Sequence, residues 1–120
     1  MIEILPKSQG NIMGIKASGR LTAQDYEEIL IPKIEEVLKN NERARFLYYI
    51  SDDLEGIEPG AMWDDAKFAS GHRDRFDKIA IVTDSKWMQW SSKLVSYFLQ
   101  GEVKSFPGDQ LDEAWIWIEA

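Results

Sequence analysis

Phe46-Leu47-Tyr48-Tyr49-Ile50 is an unbroken apolar run of strand length, and Ile79-Ala80-Ile81-Val82-Thr83 reads as a second one. A strand with one wet face alternates polar and apolar side chains. A strand that stays apolar through consecutive positions must be covered on both faces. Two such strands with helical periods between them predict a sheet sandwiched by helices, not a barrel or a bundle.

Outward from these strands the periods change in a regular order. Ile2 and Ile4 alternate with Glu3, Ser8-Gln9-Gly10-Asn11 offers a turn, and Ile12, Met13 and Ile15 resume the strand. Residues 1–18 therefore predict a β-hairpin. Thr22 with Asp25 three positions later resembles a capping box. Tyr26, Ile29, Leu30, Ile34, Val37 and Leu38 then recur at helical spacing, predicting a helix over 22–40 with a kink near residue 28 imposed by Pro32. Helices are expected over 60–70, 86–99 and 110–119, the last capped by Asp109, and a more exposed strand over 102–106. The order β-β-α-β-α-β-α-β-α is an α/β fold: a mixed sheet with an antiparallel N-terminal hairpin followed by parallel βα units. No linker, repeat or low-complexity segment interrupts residues 1–120, so a single domain is expected.

Composition narrows the chemistry. Fourteen Lys+Arg against twenty-one Asp+Glu leave a net charge of −7, the wrong sign for a partner held through phosphates, so nucleic acid is excluded. There is no cysteine and one histidine, His72, which removes disulfides, thiolate nucleophiles and multi-histidine metal centres. Asp52, Asp53, Glu55, Asp64 and Asp65 lack the spacing of a calcium loop and have no glycine-rich phosphate cradle beside them, so no metal or other cofactor is expected. His72 lies in a polar turn with no nucleophile motif around it, and an enzyme is not the expected reading. Met1–Pro6 lacks a basic segment followed by a long apolar stretch, which together with the missing cysteine suggests a cytoplasmic protein.

The richest segment is Trp87–Leu99. On a helical wheel Tyr97, Trp90, Leu94, Trp87, Phe98, Val95, Met88 and Leu99 fall consecutively and span roughly 200°. A helix lying on a sheet needs an apolar stripe of about 100° or somewhat more. The surplus is either packing against neighbouring helices or a surface for something apolar. Met62, Trp63, Ala66 and Ala69 share one face of the preceding predicted helix, with Phe68 pointing away from it. Between residues 66 and 88 the bases Lys67, Arg73, Arg75, Lys78 and Lys86 outnumber the acids, and cations beside aromatic helices suit anionic lipid head groups.

Several phrases together resemble the SpoIIAA-like STAS proteins: the N-terminal hairpin, Gly19-Arg20-Leu21-Thr22-Ala23-Gln24-Asp25-Tyr26, Pro32 within the first helix, Lys78-Ile79-Ala80-Ile81-Val82-Thr83-Asp84 with Trp87, and Asp112-Glu113-Ala114-Trp115-Ile116-Trp117. The resemblance spans essentially the whole chain. It implies a βα superhelix around a mixed sheet, related in architecture to CRAL-TRIO lipid-binding domains, with apolar-ligand binding and peripheral membrane contact. One departure matters. Anti-sigma-factor antagonists of the STAS group carry a phosphorylatable serine in an Asp-Ser-[small]-Gly phrase, where this chain has Ile50-Ser51-Asp52-Asp53-Leu54-Glu55-Gly56. Phosphate on Ser51 would stand beside like charge, which disfavours that switch.

The expectation is a non-enzymatic module for a lipid-like or other apolar small molecule, lined by Trp63, Phe68, Trp87, Trp90, Leu94 and Phe98. Met88, Tyr97 and Leu99, with Lys67, Arg73 and Lys86, are the expected contacts to a membrane surface on its inner face. The alternative is a STAS-type interaction domain that docks a protein partner or a second copy through the same aromatic face.

Overall fold

Both apolar runs lie in the interior of one sheet. The computed structural model describes residues 1–60, 75–84 and 102–120. Strands β1 (Ile2–Ile4), β2 (Ile12–Ala17), β4 (Ala44–Ile50), β6 (Phe76–Val82) and β7 (Glu102–Phe106) form a five-stranded sheet in the order β1-β2-β4-β6-β7. β1 runs antiparallel to β2 with Ile2 opposite Ala17, and every later pairing is parallel. The hairpin turns through Gly10, whose φ of 59° is a left-handed conformation that glycine adopts without strain. A second, two-stranded parallel sheet joins β3 (Arg20–Leu21) to β5 (Gly56–Ile57), a pairing too short for the sequence pattern to announce. The expected helices over 60–70 and 86–99 lie outside the described residues, apart from the helical Pro59 and Gly60.

The helix expected over 22–40 forms with Thr22 as N-cap and Asp25 completing the capping box. It starts as one α-turn (α1, Ala23–Asp25), widens into a π-turn at Tyr26–Leu30 and continues as α2 (Ile31–Asn40). The π-turn stands where the sequence predicts a kink. Pro32 has no N–H for the carbonyl of Glu28, and its ring crowds the preceding turn. The Ile31 N–H donates to the Tyr26 carbonyl five residues back, and this wider turn makes room for the ring. Leu30, Ile34 and Leu38 then point into the core at four-residue spacing.

Helix α3 (Leu111–Glu119) covers the opposite face. Its N-cap is Gln110, with no side-chain capping bond, and not the expected Asp109, which lies in the turn that follows Pro107. The other end is closed from the sheet: the Arg45 guanidinium donates to the Ile118 carbonyl at 2.9 Å and Lys78 Nζ to the Trp117 carbonyl at 3.2 Å. The same device ends α2, where Arg75 donates to the carbonyls of Leu38, Asn41 and Glu42. Cations there satisfy carbonyls that a helix terminus leaves orphaned and suit its negative pole. Arg75 and Lys78, two of the bases that suggest a head-group site in the sequence, are thus committed to helix ends.

A β-bulge between β4 and β6 sets which face each side chain of β6 joins. Ala44 pairs with Phe76 but Arg45 pairs with Lys78, so Asp77 is the extra residue, ion-paired to Arg45 at 3.2 Å. The shift puts Phe76 into the core beneath α2 while Ala80 and Val82 serve the core beneath α3. Gly14 lets α3 approach β2: a Cβ at this position would lie 2.5 Å from Cη2 of Trp115. Gly14→Ala is therefore expected to destabilise the protein by about 1–3 kcal/mol through overpacking. A urea melt should show a lower midpoint with an unchanged slope.

Candidate functional site

The two faces of the sheet are covered unequally. Beneath α3, Leu47 on β4 and Ala80 and Val82 on β6 are completely buried against Ala114, Trp115 and Ile118. On the opposite face α2 seals Met13, Ile15 and Ala17 of β2 and Phe46 of β4. Farther across that face, Tyr48, Ile79, Ile81 and Val103 are only half-buried. Alternation along β4, β6 and β7 brings these four side chains to one side, next to α2.

At the carboxyl edge of the sheet, where α/β proteins commonly bind ligands, the described loops pair through their backbones. Ser51 N–H donates to the Ala17 carbonyl, Glu55 N–H to Gly19, Glu58 N–H to Leu21 and Thr83 N–H to Phe106. The Asp84 carboxylate accepts the Gly108 N–H at 2.8 Å. The parallel strands also follow one another in a single direction, so no reversal of strand order opens a crevice between them. Ser51 is held in a turn by the Leu54 N–H, and Asp52, Asp53 and Glu55 beside it are exposed. Among the described residues, no three acidic or histidine side chains gather as metal ligands.

At the inner end of the half-buried patch, the Tyr26 hydroxyl meets the Tyr48 hydroxyl at 3.0 Å. The π-turn brings Tyr26 there, and Asp25 holds the start of that helix. Burial raises the Asp25 carboxyl, but the Thr22 N–H, the Thr22 hydroxyl and the Met1 ammonium 3.4 Å away outweigh it, and the net shift is downward. Glu58 supports the same turn, accepting the Ala23 N–H at 3.3 Å. Nothing in the helical period of 22–40 signals the tyrosine pair, since it depends on the register of a distant strand.

A separate open groove of about 620 Å³ lies at the other end of the sheet, between Ile4, Leu5 and Gln9 of the hairpin and Lys33, Val37 and Asn41 of the first helix and its end. Of the residues expected to line a ligand pocket, Trp63, Phe68, Trp87, Trp90, Leu94 and Phe98 lie outside the described residues. So do the expected membrane contacts Met88, Tyr97, Leu99, Lys67, Arg73 and Lys86. No described helix is long and apolar enough to cross a membrane.

The SpoIIAA-like family model matches residues 12–119. The chain belongs to the SpoIIAA-like family. It is also similar to the crystal structure of an uncharacterized protein of the DUF3478 family with a SpoIIAA-like fold from Shewanella loihica PV-4. The two are 30% identical, with a TM-score of 0.79 over 98% of this chain and 93% of that one. No curated protein matches the chain. The mixed sheet with its antiparallel hairpin is the SpoIIAA-like, STAS-type fold implied by the sequence resemblance.

Two measurements probe the polar end of the patch. In a double-mutant cycle, Tyr26→Phe and Tyr48→Phe should show a coupling of about 0.5–1.5 kcal/mol, the net value of one hydrogen bond. A carboxyl lowered on folding stabilises the fold fully above its ordinary pKa, here 3.8, and ceases to as pH falls through the lowered value. The stability difference between the parent protein and Asp25→Asn should therefore be constant near neutrality and shrink as the pH falls below that ordinary value.

Proposed function

We propose that this SpoIIAA-like domain is a non-enzymatic binding module for a lipid-like or other apolar small molecule, held against the sheet face that α2 partly covers. The observation that carries this reading is the inequality within β6: Ala80 and Val82 are fully buried on one face, whereas Ile79 and Ile81 on the other are half-buried. Right-handed crossovers support it. A chain stepping from β2 to β4, β6 and β7 in one direction sends its connections to a single face, the one bearing α2. The β4–β6 and β6–β7 connections contain Trp63, Phe68, Trp87, Trp90, Leu94 and Phe98, and on this reading those residues would serve the patch. The tyrosine pair would lie at its polar end.

On this reading Met88, Tyr97 and Leu99 dip into the membrane interface while Lys67, Arg73 and Lys86 meet anionic head groups, each cation contributing about 1 kcal/mol. Tryptophan and tyrosine suit that boundary because each ring system has an apolar body and a polar handle. The protein would then work at the inner face of the membrane.

The test is co-sedimentation with anionic vesicles, together with native mass spectrometry of freshly purified protein. Binding released by high salt, and weakened about tenfold or more by Trp90→Ala, is expected, since burying a large apolar side chain contributes ~1.5–3 kcal/mol. A retained small molecule should appear as added mass. A second reading rests on family membership: a STAS-type interaction domain that docks a protein through the same aromatic face. Absence of both vesicle binding and added mass would favour it.

A further inference from the structure

We propose that the outer edge of β7 is a self-association surface, at which a second copy of this chain adds its own β7 antiparallel across a two-fold axis at Val103. β7 is the last strand of the sheet, and among the described residues nothing pairs with its outer side. The Phe106 carbonyl accepts the Thr83 N–H, so Phe106, Lys104 and Glu102 turn their backbone groups toward β6. By alternation Val103 and Ser105 turn theirs outward. The opposite edge is less available: β1 has only three residues, and Ile2 within it is 4% exposed.

Charge selects both the partner and the register. Glu102 and Lys104 are exposed on the same side of the strand, two residues apart. An antiparallel pair centred on Val103 exchanges two hydrogen bonds between the two Val103 residues. It also places Glu102 of each copy opposite Lys104 of the other, close enough for opposite charges to attract. Centring the pair on Lys104 would oppose two lysines, which is unfavourable. The strand is thus charge-complementary to itself in one register. Charged residues usually guard sheet edges against pairing; here their alternation admits an identical strand. A five-residue edge buries far less than the area typical of a permanent dimer, so the association is concentration-dependent. Of the proposed ligand site it uses only Val103, and that through its outward backbone groups, so it stands or falls independently of ligand binding.

Sedimentation velocity between about 10 µM and about 1 mM should show the parent chain passing from monomer to dimer. Glu102→Lys and Lys104→Glu, each folded by circular dichroism, should each remain monomeric over that range. Mixing the two single variants should restore a dimer, because both cross-strand pairs are again opposite in sign, and so should the double exchange Glu102→Lys/Lys104→Glu. A parent protein that stays monomeric, or a dimer indifferent to these reversals, would overturn the proposal. Failure of the mixture to associate when the singles are monomeric would overturn the register.

Discussion

The fold is arranged around β4, the central strand of the five-stranded sheet, which has a hydrophobic layer on each face. Phe46 faces the layer under α2, and Leu47, the next residue, faces the layer under α3. Such a strand cannot slip by one residue without exchanging its two cores. The bulge at Asp77 fixes the neighbouring register, and Arg45 ties that bulge to the Ile118 carbonyl near the C-terminus of α3. One guanidinium therefore joins strand register to helix position.

The parts of the fold that were legible in the sequence are those decided by local period and local caps. The hairpin, the Thr22–Asp25 capping box, the interior strands β4 and β6 and the charged edge strand β7 follow from the order of apolar and polar residues. The ends of elements were less legible. Strand β6 begins three residues before its apolar run because Phe76 and Lys78 pair with β4 around a bulge, which no alternation within Phe76-Asp77-Lys78 reveals. The first turn of α3 lacks the cap expected from Asp109. Its last turn, like that of α2, is satisfied by cations remote in sequence, so neither is written near the helix it serves.

For the candidate site the division is similar. An apolar strand announces that both faces are covered but not that one is covered less, so the half-buried state of Ile79 and Ile81 emerges only when the sheet is assembled. The Tyr26–Tyr48 contact needs both the π-turn and the register of β4. Conversely, the aromatic surplus at Trp87–Leu99 is plain in the sequence without any knowledge of the sheet.

On the proposed reading, one face of this SpoIIAA-like domain is closed for stability and the other is left for a ligand. Methyl NMR on isoleucine-, leucine- and valine-labelled protein titrated with a long-chain fatty acid tests this division most directly. The methyl signals of Ile79, Ile81 and Val103 should move, while those of Leu47, Val82 and Ile118 beneath α3 stay in place. Shifts confined to Ile4, Leu5 and Ile12 at the amino-end groove, or no shifts at all, would contradict that division.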